Sequence, residues 1–416
     1  MRSRDAVRQH AAVRVGGMIG RFLVSPVFYT AAIYTTSGLC FTAAALLLAR
    51  VLSIADFARV TLLMALLNLS IPLATAGMDG VVVRRTLDLG PRMLRRVMIT
   101  SAIVALITVT AGYMIYKLDV SLLAVLLPTI VAGGTTFLAA AQYRAMRKFL
   151  LSLSLSQSSN YLFLLAPFVM MASGIHRAWF PFLIVLLGYL ITAVWVWTKL
   201  CRDALGRSTL RQDFPWHDAL FFAGTQSAGL LLLGMERLLV PKLLSFDDLA
   251  TFGVLAAVAL APFRILEMAV GFTLLPRLRA AKDITARRQL MTYEAATVAL
   301  AVLLGCLAVW YLAPPIAALF VGDKYQLTPA LLFAVIVAGS IRVVSGLPRA
   351  SATAFCTTRE LGHLAVLGWL AVGCAFLGAL VGARWGIVGI IYGVAFGWLC
   401  RGLSAVHIAA RYLRHS

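Results

Sequence analysis

Arg264 and Arg342 are the two of 37 Lys and Arg residues that fall inside long apolar runs of the chain, and Glu267 stands three residues from the first of them. An ionisable group in such a run is costly to bury and faces either a pathway or a partner. The planar guanidinium fork holds a phosphate or carboxylate bidentately, so Arg264 and Arg342 are candidates for binding an anion. Glu267 shares a helical face with Arg264. It would neutralise that arginine at rest or take part in ion coupling, and a purely structural Arg264–Glu267 pair is the competing reading. Glu236 and Arg237 lie near the end of another apolar run, where a gating or structural salt bridge is expected. Arg85 and Arg277 close two corresponding runs; they are read as ties that hold one side of the protein shut, against the plainer role of snorkelling anchors.

Polar side chains recur at helical spacing in the same runs: Tyr34 with Thr30 and Ser37, Asn68 with Thr75 and Asp79, Asn160 with Ser152 and Ser156, and Gln226 beside Thr225. Positions i, i+4 and i+7 share one face of a helix, so each set would wet one wall of a cavity. Hydrogen bonding between neighbouring helices is the alternative, and both stay open for Asn68, Asn160 and Gln226.

The elements that position these groups follow from composition. The chain has 416 residues, 61% hydrophobic and 13% charged, with a mean hydropathy of +0.91. Globular chains carry about 25% charge. The excess apolar surface must face lipid, which excludes a soluble enzyme, a nucleic-acid-binding domain and a disordered chain. Twelve membrane-spanning helices are predicted, at 26–48, 59–80, 97–116, 120–141, 153–174, 181–198, 218–235, 251–272, 293–313, 328–346, 362–382 and 386–400. Runs such as LLAVLLPTIVAGG lack the alternation of a membrane β-strand.

The net charge of +21 is mostly a topology signal. With the N-terminus inside, 27 of the 37 basic residues fall in cytoplasmic segments, 8 in outer loops and two within spans. That bias over short loops places both termini in the cytoplasm. The expected organisation is a basic arm on anionic lipid at 1–25, a six-helix half at 26–198, a cytoplasmic linker at 199–217, a second six-helix half at 218–402 and a cytoplasmic tail at 403–416.

The two halves carry matching segments. Arg50-Val-Leu-Ser-Ile-Ala-Asp-Phe-Ala58 reappears 192 residues later as Lys242-Leu-Leu-Ser-Phe-Asp-Asp-Leu-Ala250, and the same offset maps Arg85 onto Arg277. A second echo joins 139–149 to 351–361, and the extra length falls at 314–327, read as a Pro- and Gly-bearing outer segment able to dip back into the bilayer. Six spans per half give both halves the same orientation, related by a pseudo-two-fold axis along the membrane normal with a cavity between them. The stripe Gly389, Gly393 and Gly397 predicts close helix packing.

Several elements, LARVLSIADFARVTLL (48–63), AGMDGVVVRR (76–85), GMERLLVPKLLSFDDLATFGV (234–254), LLPRLRAAK (274–282) and ALFVGDKYQLTPA (318–330), resemble landmarks of the polysaccharide-biosynthesis flippases. These are the O-antigen and exopolysaccharide repeat-unit translocases of the multidrug/oligosaccharidyl-lipid/polysaccharide exporter superfamily. Ala58 departs from the glycine usual in the first-half loop. The resemblance implies an all-α, twelve-span protein of the bacterial inner membrane that moves a polyprenyl-diphosphate-linked oligosaccharide by alternating access. It also implies a monomer in contact with membrane lipids, and with a polysaccharide polymerase and other assembly proteins as candidate partners. Arg264 and Arg342 would then attract the diphosphate or acidic sugars. Glu236–Arg237 is similar to the acid–arginine pair common at this place in the family.

No Walker loop, HExxH or CxxC is present, so neither ATP, zinc nor another cofactor is implied, and coupling to a proton or sodium gradient is left open. No enzyme activity is expected. Two other readings remain: a multidrug-type cation exporter of the same fold, which would want cavity carboxylates, and a membrane polysaccharide polymerase or ligase, which would want a large outer loop.

Overall fold

The computed structural model describes residues 26–415 apart from 86, 88, 206–213, 281–282 and 356–357. The expected basic arm, 1–25, and the middle of the expected linker lie outside the described residues. Among the described residues there is no strand. The first half comprises α1 (Pro26–Val51), α2 (Ile54–Ala74), α3 (Met78–Arg85), α4 (Pro91–Tyr116), α5 (Val120–Ala145), α6 (Phe149–Ser156), α7 (Ser158–Ser173) and α8 (Phe180–Leu205). The second comprises α9 (Trp216–Leu243), α10 (Phe246–Leu255), α11 (Ala261–Ala280), α12 (Ile284–Val321), α13 (Pro329–Phe355), α14 (Thr358–Gly382) and α15 (Gly386–His415). A π-helical turn, Ala256–Leu260, joins α10 to α11.

Ten stretches among the described residues are long and apolar enough to cross a membrane, and the pair α6–α7, bent by 46°, makes an eleventh. The longest stretch, 362–410, is two helices: α14 and α15 fold back on each other, with Gly382 against Gly389 and Gly378 against Gly393. A Cβ built on Gly393 would fall 2.2 Å from the Gly378 carbonyl carbon, so the stripe predicted to pack closely does so, backbone to backbone. Counted so, the passes among the described residues number twelve. Both α1 and α9 start, and α15 finishes, at one end of the bundle, called here the terminal end.

The repeated segments have repeated structures. Ser53 accepts a hydrogen bond from the Asp56 N–H at 3.1 Å and donates to its carboxylate at 2.9 Å, starting α2. Ser245 does the same with Asp248, at 3.1 and 2.6 Å, starting α10. The Ser-x-x-Asp echo is therefore the same N-cap in each half, satisfying backbone donors that would otherwise be orphaned. Ala58 lies within α2 and is fully buried, so no loop turn at that position calls for a glycine.

Burial follows the inverse logic of a membrane bundle. On α4 the small or polar Ser101, Ala105 and Thr108 face inward, whereas Ile99, Ile103 and Ile107 are exposed. Small inward residues bring backbones together, and large apolar residues are left for lipid.

Several predicted boundaries change. The second pass breaks at Ala76 and Gly77, whose φ values are 48° and 77°, so Asp79 belongs to the short helix α3. The segment at 314–327 does not dip back: Pro314 and Pro315 sit inside α12, which runs on to Val321 before a single 3-10 turn. Its preceding apolar run continues without interruption, and prolines inside a membrane-spanning helix are tolerated where neighbouring helices and local adjustments satisfy the freed backbone groups. The tenth and twelfth passes run past their predicted ends at 346 and 400 to Phe355 and His415, so the expected tail at 403–416 begins as part of α15.

Candidate functional site

The second half contains a cluster of arginines on three adjacent helices. Arg264 and Glu267 come from α11, Arg342 and Arg349 from α13, and Trp398 and Arg401 from α15. On α13 the spacing of seven puts both arginines on one face. Arg349 donates through Nη2 to Glu267 Oε1 at 2.8 Å and through Nε to the Ser345 carbonyl at 3.1 Å, which fixes its fork. Arg342 Nε lies 3.6 Å from Glu267 Oε2, an ion pair beyond hydrogen-bond length. The Trp398 ring is the common platform: the guanidinium carbons of Arg342, Arg349 and Arg401 stand 4.9, 5.0 and 5.6 Å from its centroid. Each such contact is worth about 0.5–2 kcal/mol, more when desolvated.

Glu267 is thus bridged to two arginines of α13 rather than to Arg264, which corrects the pairing expected from the i, i+3 spacing. Arg264 makes neither a hydrogen bond nor an ion pair with any described residue, and its Nε is buried without a partner. Arg342 Nη2 and Trp398 Nε1 are also buried and unpartnered. The Arg342 side chain is 2% exposed. Leaving a buried donor unmade costs about 1–3 kcal/mol, and more for a charged one. Arg401 likewise has no ion pair among the described residues, and its guanidinium packs 3.0 Å from where a Gly229 Cβ would stand. The arrangement is rich in aimed donors and short of acceptors, the reverse of what a cationic ligand would meet.

Arg237 lies in the same electrostatic neighbourhood as Arg264 and Arg342. Glu236 and Arg237 are 4% and 5% exposed on α9, yet no ion pair within 4 Å joins them. Adjacent residues on a helix diverge by about 100° and do not face each other. Arg237 instead stacks over Phe41 of α1, 5.8 Å from its centroid, reaching across to the first half.

The predicted polar residues of the first half form separate groups. Asn160 donates to Ser37 Oγ at 2.7 Å and to Gln157 Oε1 at 3.0 Å, and Ser37 donates to Gln157 at 2.9 Å. This network ties α1 to the bend between α6 and α7. Asp79 is 7% exposed and accepts from Thr75 Oγ1 at 2.8 Å. Tyr34 is half-buried on α1, Asn68 is exposed on α2, and Gln226 is half-buried on α9.

The halves touch at both ends. At the terminal end Arg85 of α3 pairs with Asp218 of α9 at 2.6 Å. A Cβ on Gly77 would fall 1.9 Å from the Ala219 carbonyl oxygen, so α3 and α9 meet at backbone distance. At the opposite end Lys324 donates to the Ala49 carbonyl at 2.9 Å and to that of Leu52, capping the end of α1, while Tyr116 donates to Leu238 O at 2.9 Å. Arg277, the sequence counterpart of Arg85, pairs with Glu294 of α12 within its own half and, among the described residues, makes no ion pair across the interface.

Arg349, Trp398 and Arg401 are absent from the residues singled out by sequence. Arg349 and Arg401 fall just past the predicted ends of the tenth and twelfth spans, at 346 and 400, whereas Trp398 lies inside the twelfth, where one more apolar side chain carries no signal. The seven-residue spacing from Arg342 to Arg349 and the three-residue spacing from Trp398 to Arg401 would have placed them on shared faces.

No family model and no curated protein sequence matches the chain. Solved structures do match along nearly the whole length. The chain is similar to the inward-facing form of a MATE family multidrug resistance transporter of the MOP superfamily (TM-score 0.67, 12% identity, 93% of this chain and 98% of that one). It is similar to the lipid II flippase MurJ in an inward closed conformation (TM-score 0.64, 13% identity, 91% and 86%). A MOP superfamily transporter from Pyrococcus furiosus, described as having a binding pocket of reverse polarity, matches with a TM-score of 0.60 at 12% identity over 93% and 94%. The chain has the two-lobed, twelve-pass fold that these transporters share.

Proposed function

We propose that the protein is a flippase for polyprenyl-diphosphate-linked oligosaccharide repeat units of a surface polysaccharide, acting by alternating access between its two halves in the bacterial inner membrane. The observation that carries this reading is the cluster of Arg264, Arg342, Arg349 and Arg401 within the apolar bundle, in which Arg264 Nε and Arg342 Nη2 are buried without an acceptor. A sugar chain on a diphosphate must cross about 30 Å of hydrocarbon while its polyprenyl tail stays in lipid. Stripped of water, each phosphate charge would cost many kcal/mol. A guanidinium cluster at membrane depth replaces that hydration, and arginine does so bidentately. The second half supplies the charge, and the Asn160–Ser37–Gln157 network, Asn68, Gln226 and Tyr34 supply neutral hydrogen-bonding groups suited to sugar hydroxyls.

The fold is shared with multidrug transporters and with a flippase for lipid II, so fold does not choose between them. Charge does. An exporter of amphipathic cations would meet four arginines and would gain nothing from the unpartnered donors of Arg264 and Arg342. In the flippase reading Arg85–Asp218 and Lys324 with the end of α1 serve as the two closures of the interface, and a proton or sodium gradient drives the cycle. The test is deletion of the gene followed by mass spectrometry of the membrane lipids. Accumulation of a polyprenyl-diphosphate glycan, reversed by the wild-type gene, supports the reading; an unchanged lipid-linked pool rejects it.

A further inference from the structure

We propose that Glu267 is a resident competitor for the anion site and restricts it to ligands carrying at least two adjacent negative charges. This rests on the reading of the arginine cluster as the seat of a diphosphate.

Glu267 occupies the arginines incompletely. One carboxylate oxygen takes a 2.8 Å hydrogen bond from Arg349, while the other stands 3.6 Å from Arg342 Nε. Arg342 keeps Nη2 without an acceptor, Arg264 keeps Nε without one, and Arg401 rests on the Trp398 ring with no ion pair among the described residues. The carboxylate therefore satisfies part of a donor set that is larger than one anion needs.

A single monoanionic group entering this set gains little. It offers no more charge than Glu267 already does, and displacing Glu267 would leave a carboxylate unpaired in a largely buried place. A diphosphate differs because its two phosphoryl groups engage the Arg342–Arg349 face together and bring further oxygens for Arg264 or Arg401. The added charge compensates for the pair it breaks. Glu267 belongs to α11 and its partners to α13, so the same exchange unties the two helices when the proper ligand arrives and leaves them tied for a lesser one. Glu267 is in this sense a positioning and selectivity residue: discrimination comes from a built-in penalty as well as from attraction.

The experiment is calorimetric titration of the purified full-length protein in detergent with two probes, inorganic pyrophosphate and dimethyl phosphate, a single monoanionic phosphodiester. Wild type is expected to bind pyrophosphate and to show no binding of dimethyl phosphate. Glu267→Gln keeps the shape and removes the competing charge; it is expected to bind pyrophosphate about tenfold more tightly or better, and to gain dimethyl phosphate binding. The ratio of the two affinities is the readout, since a merely structural role for Glu267 would not move it in this direction. Pyrophosphate binding that is unchanged or weakened in Glu267→Gln, with wild type still binding, overturns the competitor and leaves the anion site standing. Absence of pyrophosphate binding in both proteins overturns the anion site and the competitor together. Should Glu267→Gln fail to accumulate folded, Glu267→Asp carries the test, because the retracted carboxylate competes less: tighter pyrophosphate binding than wild type supports the proposal, and equal or weaker binding overturns it.

Discussion

Arg85 of α3 and Asp218 of α9 meet at 2.6 Å across the interface between the halves, directly beside the point where Gly77 lies against the Ala219 carbonyl. The ion pair and the backbone contact close the same end of the molecule by different means. Their energies differ. Arg85 is 52% exposed and Asp218 35%, so water screens the pair and it contributes about 0.2–1 kcal/mol. The backbone approach is a steric condition that admits no side chain.

Arg85→Ala and Asp218→Ala are therefore expected to lower transport less than about fivefold each, and the exchanged pair Arg85→Asp with Asp218→Arg to recover most of the loss. Complementation of a deletion strain by the single and exchanged variants measures this.

Gly77→Ala is expected to be far more damaging. Its φ of +77° strains any side chain by about 1–2 kcal/mol, and the new methyl would overlap the Ala219 carbonyl. Gly224→Ala, where an added methyl meets nothing within 4 Å, serves as the control and should transport normally. Thermal unfolding in detergent, read beside transport, shows whether closure or folding is lost.

At the other end, Lys324→Met removes the cap on the Ala49 and Leu52 carbonyls and should loosen the junction of α1 with the second half. Leu52 is 1% exposed. A cysteine placed at that position should react slowly with an aqueous maleimide in the wild-type background and several-fold faster with Lys324→Met, while an unchanged rate would show that the cap does not hold this end closed.

Much of this architecture is legible in sequence because lipid imposes a simple rule. A run long enough to cross must be apolar and helical, so the twelve passes and the two capped repeats follow from composition and from Ser53 and Ser245. The arginine cluster was half legible. Arg264 and Arg342 stand out because they interrupt apolar runs, whereas Arg349 and Arg401 stand where those runs fade and read as the edges of loops, and Trp398 is one apolar residue among many inside its run. Ends of passes are poorly marked by hydropathy, since a helix continues into polar sequence wherever it is docked on a neighbour, as α13 and α15 do. The partner of Glu267 was hidden for another reason: three-residue spacing brings Arg264 near, but two arginines on α13 compete for the same carboxylate, and only the packing of α11 against α13 decides between them.

Arg342→Ala and Arg264→Ala test the cluster itself. Each removes charge-assisted hydrogen bonds worth about 1.5–3 kcal/mol to an anion, so ligand affinity or transport should fall about ten- to a hundredfold. Asn160→Ala, which breaks only the network with Ser37 and Gln157, should lower transport less.

The central claim is movement of an anionic lipid-linked glycan through the cationic second half. Purified protein reconstituted into liposomes with a fluorescent polyprenyl-diphosphate oligosaccharide, followed by quenching from one side, measures that movement directly. The account predicts rapid loss of protection with wild type and a rate near that of protein-free liposomes with Arg342→Ala. Wild-type liposomes no faster than protein-free ones, or an Arg342→Ala variant as fast as wild type, would contradict it.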